Sequence, residues 1–390
     1  MSDGIAGAEG PRDAERERDA EIMQSRRDFL MGGCAMALAA GSKPALGSPQ
    51  EIRRGGMVYR RLGQTDLYSS LLAFGAHTDN TYKIPVKGAV PGSVLNPEGQ
   101  ARRDRQIAHA LDLGVNVVDT YMTEGQWEPL AQLVRPRRDK VLVSLYHNAP
   151  EFVARNIERG CRLFGHVDLY RFPVRDGTVI DGRTLEDWDV LRKAKEAGKV
   201  RAIGISTHME REMVKALAQL EGLDYIFFPY NFIHARADYS EFLPAAIAKG
   251  VGLIAMKPLA MGSIVSFDPR ARPDVRPENQ RTSLFTSQNR MILPAAVSEL
   301  TSSLNRMPEE TLCQAAMRFV YSKNFLSAVV TGMWEDEWVD DNYKAIGKYF
   351  QLRHEETAAL DAAARLAKLV GPSWLPPDYQ WLDHQWGVRA

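Results

Sequence analysis

The stretch Arg102-Arg-Asp-Arg-Gln-Ile-Ala-His-Ala-Leu-Asp-Leu-Gly114-Val-Asn-Val-Val-Asp119 decides the fold. Apolar residues recur at helical spacing up to Leu113, Gly114 supplies a helix C-terminus, and Val115–Asp119 is a short apolar run of the kind a buried strand needs. The same alternation continues downstream. Strands are predicted at Lys140–Tyr146, Val167–Phe172, Val200–Ser206, Tyr225–Phe228, Val251–Met256 and Leu326–Thr331. Helices are predicted at 151–164, 185–197, 209–220, 241–249, 308–322 and 335–348. Upstream, Met57–Gly63 and Leu67–Gly75 are short β-like runs, with an irregular Gly/Pro-containing stretch at 79–99. Short apolar strands joined by amphipathic helices pair in parallel, because each crossover returns the chain to the same edge. With Leu71–Gly75 the strands number eight, which closes a (β/α)8 TIM barrel. An open doubly wound sheet would carry a Gly-rich first turn, and no G-x-G-x-x-G follows the first strand.

Outside the barrel, residues 263–306 form a long insertion after strand seven, and 351–390 a C-terminal helix and aromatic tail with Trp374, Tyr379, Trp381 and Trp386. At the other end, Ser25-Arg-Arg-Asp-Phe-Leu30 precedes an Ala/Gly/Met-rich apolar run to Gly41, and Ala45-Leu46-Gly47 offers small residues for a signal peptidase. This resembles a twin-arginine export signal spanning 1–47. A charged linker, 48–56, follows it. The expected destination is the periplasm or another exported compartment, with the twin-arginine machinery as partner. The apolar run falls short of the roughly 18 residues of a membrane span, so no integral membrane span is expected. Lys plus Arg and Asp plus Glu both number 49, leaving no basic excess to bind nucleic acid. Three cysteines cannot staple a chain of 390 residues. Cys161 and Cys313, in helical patterns, are expected as buried unpaired thiols.

Several motifs are similar to those of the aldo/keto reductase family: Tyr59-Arg-Arg-Leu-Gly-Gln-Thr-Asp-Leu-Tyr-Ser-Ser70, Leu111–Thr120, Gly198-Lys-Val-Arg-Ala-Ile-Gly-Ile-Ser206, Pro229-Tyr-Asn231, Lys257-Pro-Leu-Ala-Met-Gly262 and the Gly332…Asp341-Asn342 ending. They run in family order from about 57 to 350. The resemblance implies a barrel that reduces a carbonyl with a hydride from NADP or NAD, acting on a small-molecule substrate. It also implies an Asp, Tyr, Lys and His at the barrel mouth, the tyrosine giving the proton and the histidine polarising the carbonyl. Carried over residue by residue, the aspartate is Asp119, the tyrosine position holds Glu124, the lysine position Tyr146 and the histidine position Pro173. On the cofactor side the resemblance points to Ser206, Thr207, Phe227, Met256, Leu259, Gly262, Gly332 and Asn342. Thr207 stands where an Asn is usual, Phe227 where a glutamine holds the nicotinamide amide, and Met256 where an aromatic stacks on its ring. The loop after strand eight, which grips a 2′-phosphate in the family, reads Met333-Trp-Glu-Asp-Glu337; its acids would repel a phosphate.

The expected function is therefore an atypical oxidoreductase of a carbonyl or hydroxyl compound, with a sugar as one candidate. The residues that remain for catalysis are Asp119, Glu124, Tyr146 and Lys257. Glu124 serves as acid or base if burial raises its pKa, and otherwise is a solvated loop acid. Arg171, two residues before Pro173, shares its strand face and would need Asp119 or Glu124 as a partner. His77, His147, His208 and His234 follow strands on the same face and, with the two acids, open the alternative of a metal-dependent lyase, isomerase or hydrolase. Their spacing is not that of a metal motif, and no metal is assigned. A non-catalytic binding barrel is the remaining alternative.

Overall fold

The computed structural model describes residues 50–87, 92–146, 152–174, 180–208, 210–231, 241–259 and 310–346. All lie in the unit Pro49–Ala390. The predicted signal, the 263–306 insertion, the 351–390 tail, and His147, His234 and Gly262 fall outside the described residues.

The chain enters through β1 (Glu51–Arg54), β2 (Met57–Arg61) and β3 (Tyr68–Ser70), an antiparallel three-stranded sheet. Part of the expected linker 48–56 is therefore a strand: Glu51 pairs with Arg60, and Gly55 takes the positive φ of the turn. Arg60 fixes this sheet in place. Its guanidinium is buried and donates to the carbonyls of Lys323, Leu326 and Tyr321 at 2.8, 2.9 and 3.2 Å, and to Glu51 Oε2 at 3.2 Å.

The barrel closes in the order β4 (Leu72–Phe74), β7 (Val117–Tyr121), β8 (Leu142–Tyr146), β9 (Val167–Pro173), β10 (Val200–Ser206), β11 (Tyr225–Pro229), β12 (Gly252–Met256) and β13 (Ala328–Thr331), with β13 returning to β4. Every pairing in the ring is parallel. This is the (β/α)8 barrel that the strand–helix alternation predicts. Between β4 and β7 a small hairpin, β5 (Lys83–Pro85) with β6 (Ser93–Leu95), occupies the stretch expected to be irregular.

Side chains cap the starts of three of the described helices. In α1 (Pro97–Asp112) the Asn96 side chain accepts from Gly99 N at 2.8 Å, Pro97 sits in the first turn, and Gly114 takes φ 96° just beyond the end. A further helix, α2 (Trp127–Val134), follows β7. Then come α3 (Val153–Phe164), α4 (Gly182–Glu196), α5 (Glu210–Gln219), α6 (Phe242–Ala248), α7 (Leu312–Tyr321) and α8 (Asp336–Lys344). Asp181 caps α4 through Thr184 N at 2.9 Å, and Thr311 caps α7 through Gln314 N at 3.1 Å.

Strand side chains alternate between two cores. The outward set packs against the helices; the inward set, including Ala73, Val117, Leu142, Leu169, Ala202, Tyr225, Phe227, Ile254 and Val330, fills the barrel, joined by Leu62 and Leu67 from the turn between β2 and β3. Continuing the inward rows toward the strands' C-terminal ends gives Asp119, Tyr121, Ser144, Tyr146, Arg171 and Ser206. These rows position the site.

Candidate active site

Register places Asp119 opposite Ser144, and Tyr146 opposite Arg171. Arg171 and Asp119 form a bidentate ion pair: Nη2 donates to Oδ2 at 2.7 Å and Nη1 to Oδ1. The Ser144 hydroxyl donates to Asp119 Oδ1 at 2.7 Å and accepts from Arg171 Nη1 at 3.0 Å. Both charged residues are buried. Burial disfavours the guanidinium charge, but Asp119 outweighs it and holds the Arg171 pKa up. The guanidinium also lies over three rings, 4.2 Å from the Phe227 centroid, 4.7 Å from Tyr146 and 5.7 Å from Tyr121. Sequence reasoning offered Asp119 or Glu124 as partner for an inward Arg171; the partner is Asp119.

Tyr121 and Tyr146 stand at the tips of β7 and β8 with ring centroids 5.0 Å apart. Burial pushes the Tyr121 phenol up, against the pull of Arg171. Tyr121 is thus a poor proton donor at neutral pH.

Glu124 departs from both readings made of it. It follows β7 on a single 3₁₀ turn, and it is 9% exposed, so it is not a solvated loop acid. Its Oε2 accepts from Thr78 N at 2.8 Å and from the Thr78 hydroxyl; its Oε1 lies 3.3 Å from His77 Nδ1 and 3.2 Å from Lys83 Nζ. Burial alone would raise its pKa, as the sequence suggested. The hydrogen bond and charge of His77, with Lys83 and Thr78, overcome burial and bring the carboxyl down to about 2. At neutral pH Glu124 is a fixed carboxylate.

His77, three residues past β4, touches the same cluster. Its ring meets Tyr121 edge-on at 4.9 Å, and its carbonyl accepts from Trp334 Nε1 at 2.9 Å and Arg103 Nη1 at 3.2 Å. Burial lowers the pKa of Arg103 to about 10.

Lys257 lies at the end of β12 and belongs to a different group. Its backbone is left-handed, φ 56°, the one such non-glycine among the described residues. Asn231 Nδ2 donates to its carbonyl at 3.0 Å. Its Nζ meets His208 Nε2. Burial lowers Lys257 to about 7, and burial together with Lys257 lowers His208 well below its usual value. Of the four residues predicted for catalysis, Asp119 and Tyr146 share the Arg171 cluster, while Glu124 and Lys257 stand in clusters of their own.

The predicted cofactor positions also divide. Ser206 and Met256, both half-buried, put Oγ 4.0 Å from Sδ. Thr207 is buried, with its N–H donating to the Phe227 carbonyl at 3.2 Å. Phe227 is part of the barrel's inner packing beneath Arg171, rather than a wall of the mouth. Leu259 packs on the outer core. Asn342 is buried in α8, its amide donating to the Trp338 carbonyl at 2.6 Å, so it is engaged within its own helix. At Gly332 a Cβ would make one ordinary contact, with Trp334 Nε1 at 3.6 Å. The acidic run after β13 is partly neutralised, since Arg102 pairs with Glu335. No group of three or more His, Cys, Asp or Glu side chains that could hold a metal exists among the described residues. Cys161 and Cys313 are unbridged thiols, half-buried rather than fully buried.

Residues 93–365 match the family model described as Aldo/keto reductase family. The chain belongs to the aldo/keto reductase family. L-galactose dehydrogenase of Arabidopsis thaliana is 24% identical over 334 residues, covering 81% of this chain and 96% of that protein. Among solved structures, the glycerol dehydrogenase of Gluconobacter oxydans superposes with a TM-score of 0.61 at 21% identity, covering 82% and 97% of the two chains. An aldo-keto reductase from Bacillus halodurans in its apo form gives 0.58 at 20% identity, covering 78% and 95%. At these identities the solved structures speak to the fold. As an aldo/keto reductase, the chain is an oxidoreductase of a family that generally uses NAD(P)H.

Proposed function

We propose that this protein is an exported, atypical aldo/keto reductase that interconverts a hydroxyl and a carbonyl on a polyhydroxylated small molecule such as a sugar, with NAD as the favoured cofactor. The observation that carries the atypical character is the Arg171–Asp119 pair. An aspartate held bidentately by an arginine is not available to tune a tyrosine–lysine proton donor, and Tyr146 and Pro173 occupy the positions where the family's lysine and histidine belong. Catalysis then draws on Glu124 and Lys257 rather than on the ordinary four. The sugar assignment draws support from the name of the plant relative and from the polar groups at the mouth, His77, Lys83, Tyr121 and Tyr146.

The residues present fit a nicotinamide at its reactive end. The Ser206 hydroxyl can bond its amide, and the Met256 thioether beside that hydroxyl can pack on a flat ring. A bound nicotinamide supplies or accepts the hydride. With Glu335 taken up by Arg102, Asp336 and Glu337 remain to oppose a 2′-phosphate, which favours NAD over NADP. The Asn342 amide donates to the Trp338 carbonyl within α8, so an adenine would meet a side chain already set in orientation. Arg171, clamped to Asp119, fixes the floor of the mouth, and Lys257, brought down to about 7 by burial, offers a base near neutrality beside His208.

Export by the twin-arginine route, with removal of residues 1–47, is part of the proposal and is supported by the Arg26-Arg27-Asp28-Phe29-Leu30 pattern. The deciding experiment is titration of the mature protein with NADH and with NADPH while following tryptophan fluorescence. Quenching by NADH at lower concentration than by NADPH is expected. No response to either at millimolar concentration overturns the nicotinamide reading.

A further inference from the structure

We infer that His77 and Glu124 form a carboxylate–imidazole dyad that moves the proton in this enzyme's reaction, with His77 carrying it and Glu124 positioning His77. The inference rests on the oxidoreductase reading above, which requires a proton at the substrate oxygen and leaves the usual donor position without a tyrosine.

Three observations carry it. The first is hydrogen-bond logic. Glu124 is ionised at neutral pH and can only accept, so the nitrogen 3.3 Å away, His77 Nδ1, carries the proton in that contact. In the neutral ring the lone pair is therefore on Nε2. The second is exposure. Glu124 is buried, whereas the His77 side chain is 60% exposed, so the ring can both meet a substrate and exchange protons with water. The third is fixation. An exposed histidine on a loop ordinarily wanders among rotamers, yet this one is held at its backbone, at Nδ1 and at its ring edge. Trp334 and Arg103 fix its carbonyl, Tyr121 backs its ring, and Glu124 sets its orientation. Glu124 is in turn set by Thr78 and by Lys83 of the hairpin. The charged or titratable groups about His77 are thus Glu124, Lys83, Arg103 and Tyr121, one carboxylate against two cations. A surface histidine needs none of this; a group that must meet a substrate oxygen in one geometry does.

The step balances simply. In oxidation, the substrate hydroxyl proton passes to Nε2 as the C–H bond gives its hydride to the nicotinamide, and the C–O bond becomes a carbonyl. The imidazolium, steadied by Glu124, releases that proton to solvent. In reduction, the imidazolium Nε2–H protonates the oxygen as the hydride reaches carbon.

Two measurements test the dyad. The first is turnover and cofactor binding of His77→Gln, with thermal melting as the check on folding. A loss of about 10²–10⁴ in kcat with cofactor affinity and melting unchanged is expected. Added imidazole should restore part of the rate of His77→Ala, which a purely structural histidine would not show. Turnover of His77→Gln within threefold of the parent overturns the inference. The second is the tautomer of His77 by ¹⁵N NMR at a pH where the ring is neutral. The Nδ1–H form is expected in the parent and a mixture in Glu124→Gln; an Nε2–H parent overturns it. Should neither NADH nor NADPH bind the parent protein, the oxidoreductase reading fails, while the tautomer result still decides whether the dyad exists.

Discussion

Glu124 shows how far a single position can be read. From the sequence, a carboxylate in a proton donor's place suggested either a buried acid with a raised pKa or a wet loop residue. The structure buries it but surrounds it with donors, so the pKa falls. The partners lie 46 and 47 positions back in the chain, at Thr78 and His77, and no local pattern joins them to Glu124. The sign of the pH effect follows. The unfolded carboxyl titrates near 4.5 and the folded one near 2, so its contribution is complete above 4.5 and is lost as pH falls through 2. That difference corresponds to about 3 kcal/mol. Urea unfolding at pH 7 should show Glu124→Gln less stable by up to that amount, with the gap to the parent closing below pH 3. Lys257 behaves oppositely. Folded, it sheds its proton near 7; unfolded, it keeps it to 10.5. The unfolded chain binds more protons between those values, so parent stability should rise with pH across the window. Lys257→Met should remove that rise, measured as the difference between the two unfolding curves at pH 7 and pH 9.5.

At the scale of elements, the barrel strands were legible because each is a short apolar run bounded by a helix and a turn residue. The pieces that escaped are those with weak local signals. The helix Trp127–Val134 has no side-chain cap and carries Pro129 in its first turn. The strands Lys83–Pro85 and Ser93–Leu95 are three residues each, tied down by the bond from Gly92 N to the Thr123 carbonyl at 3.0 Å. The strand Glu51–Arg54 reads as a charged linker until Arg60 is seen buried beside it. The Arg171–Asp119 pair was half-legible: strand alternation placed Arg171 inward, but choosing between two acids needed the register. Within β10, Gly204 is a positional necessity. A Cβ there would stand 2.5 Å from the Tyr225 carbonyl and 2.6 Å from its ring. Backbone cannot yield as a side-chain tip can, so Gly204→Ala should destabilise by about 1–3 kcal/mol. Because Gly204 is also the register partner of Arg171, near-UV circular dichroism of the tyrosines should change with it.

For the whole molecule, the sequence spoke clearly about the ring of eight strands and about the family, since both rest on patterns repeated along the chain. It was least informative about the mouth, where side chains from β4, β7, β8, β9, β10 and β12 meet from distant positions. The proposed export route is testable at this scale. Replacing Arg26 and Arg27 by lysine keeps the charge but removes the guanidinium pair, so mature protein should disappear from the exported fraction and precursor accumulate in the cytoplasm. Unchanged delivery, read by immunoblot of cell fractions, would count against the twin-arginine route. No described helix is long and apolar enough to cross a membrane.

The clamp between Arg171 and Asp119 also limits how the site can change. Placing a lysine at 146 while Arg171 stays would set two cations against one carboxylate, since the Tyr146 ring already lies 4.7 Å from the guanidinium. Removing Arg171 first would strand Asp119 as an unpaired buried anion, a loss of about 3–5 kcal/mol. Each of these single steps is therefore worse than the clamped pair, and a site built on lysine at 146 needs both changes together. Substitutions that leave the clamp intact are open one at a time, whereas those that dismantle it are not.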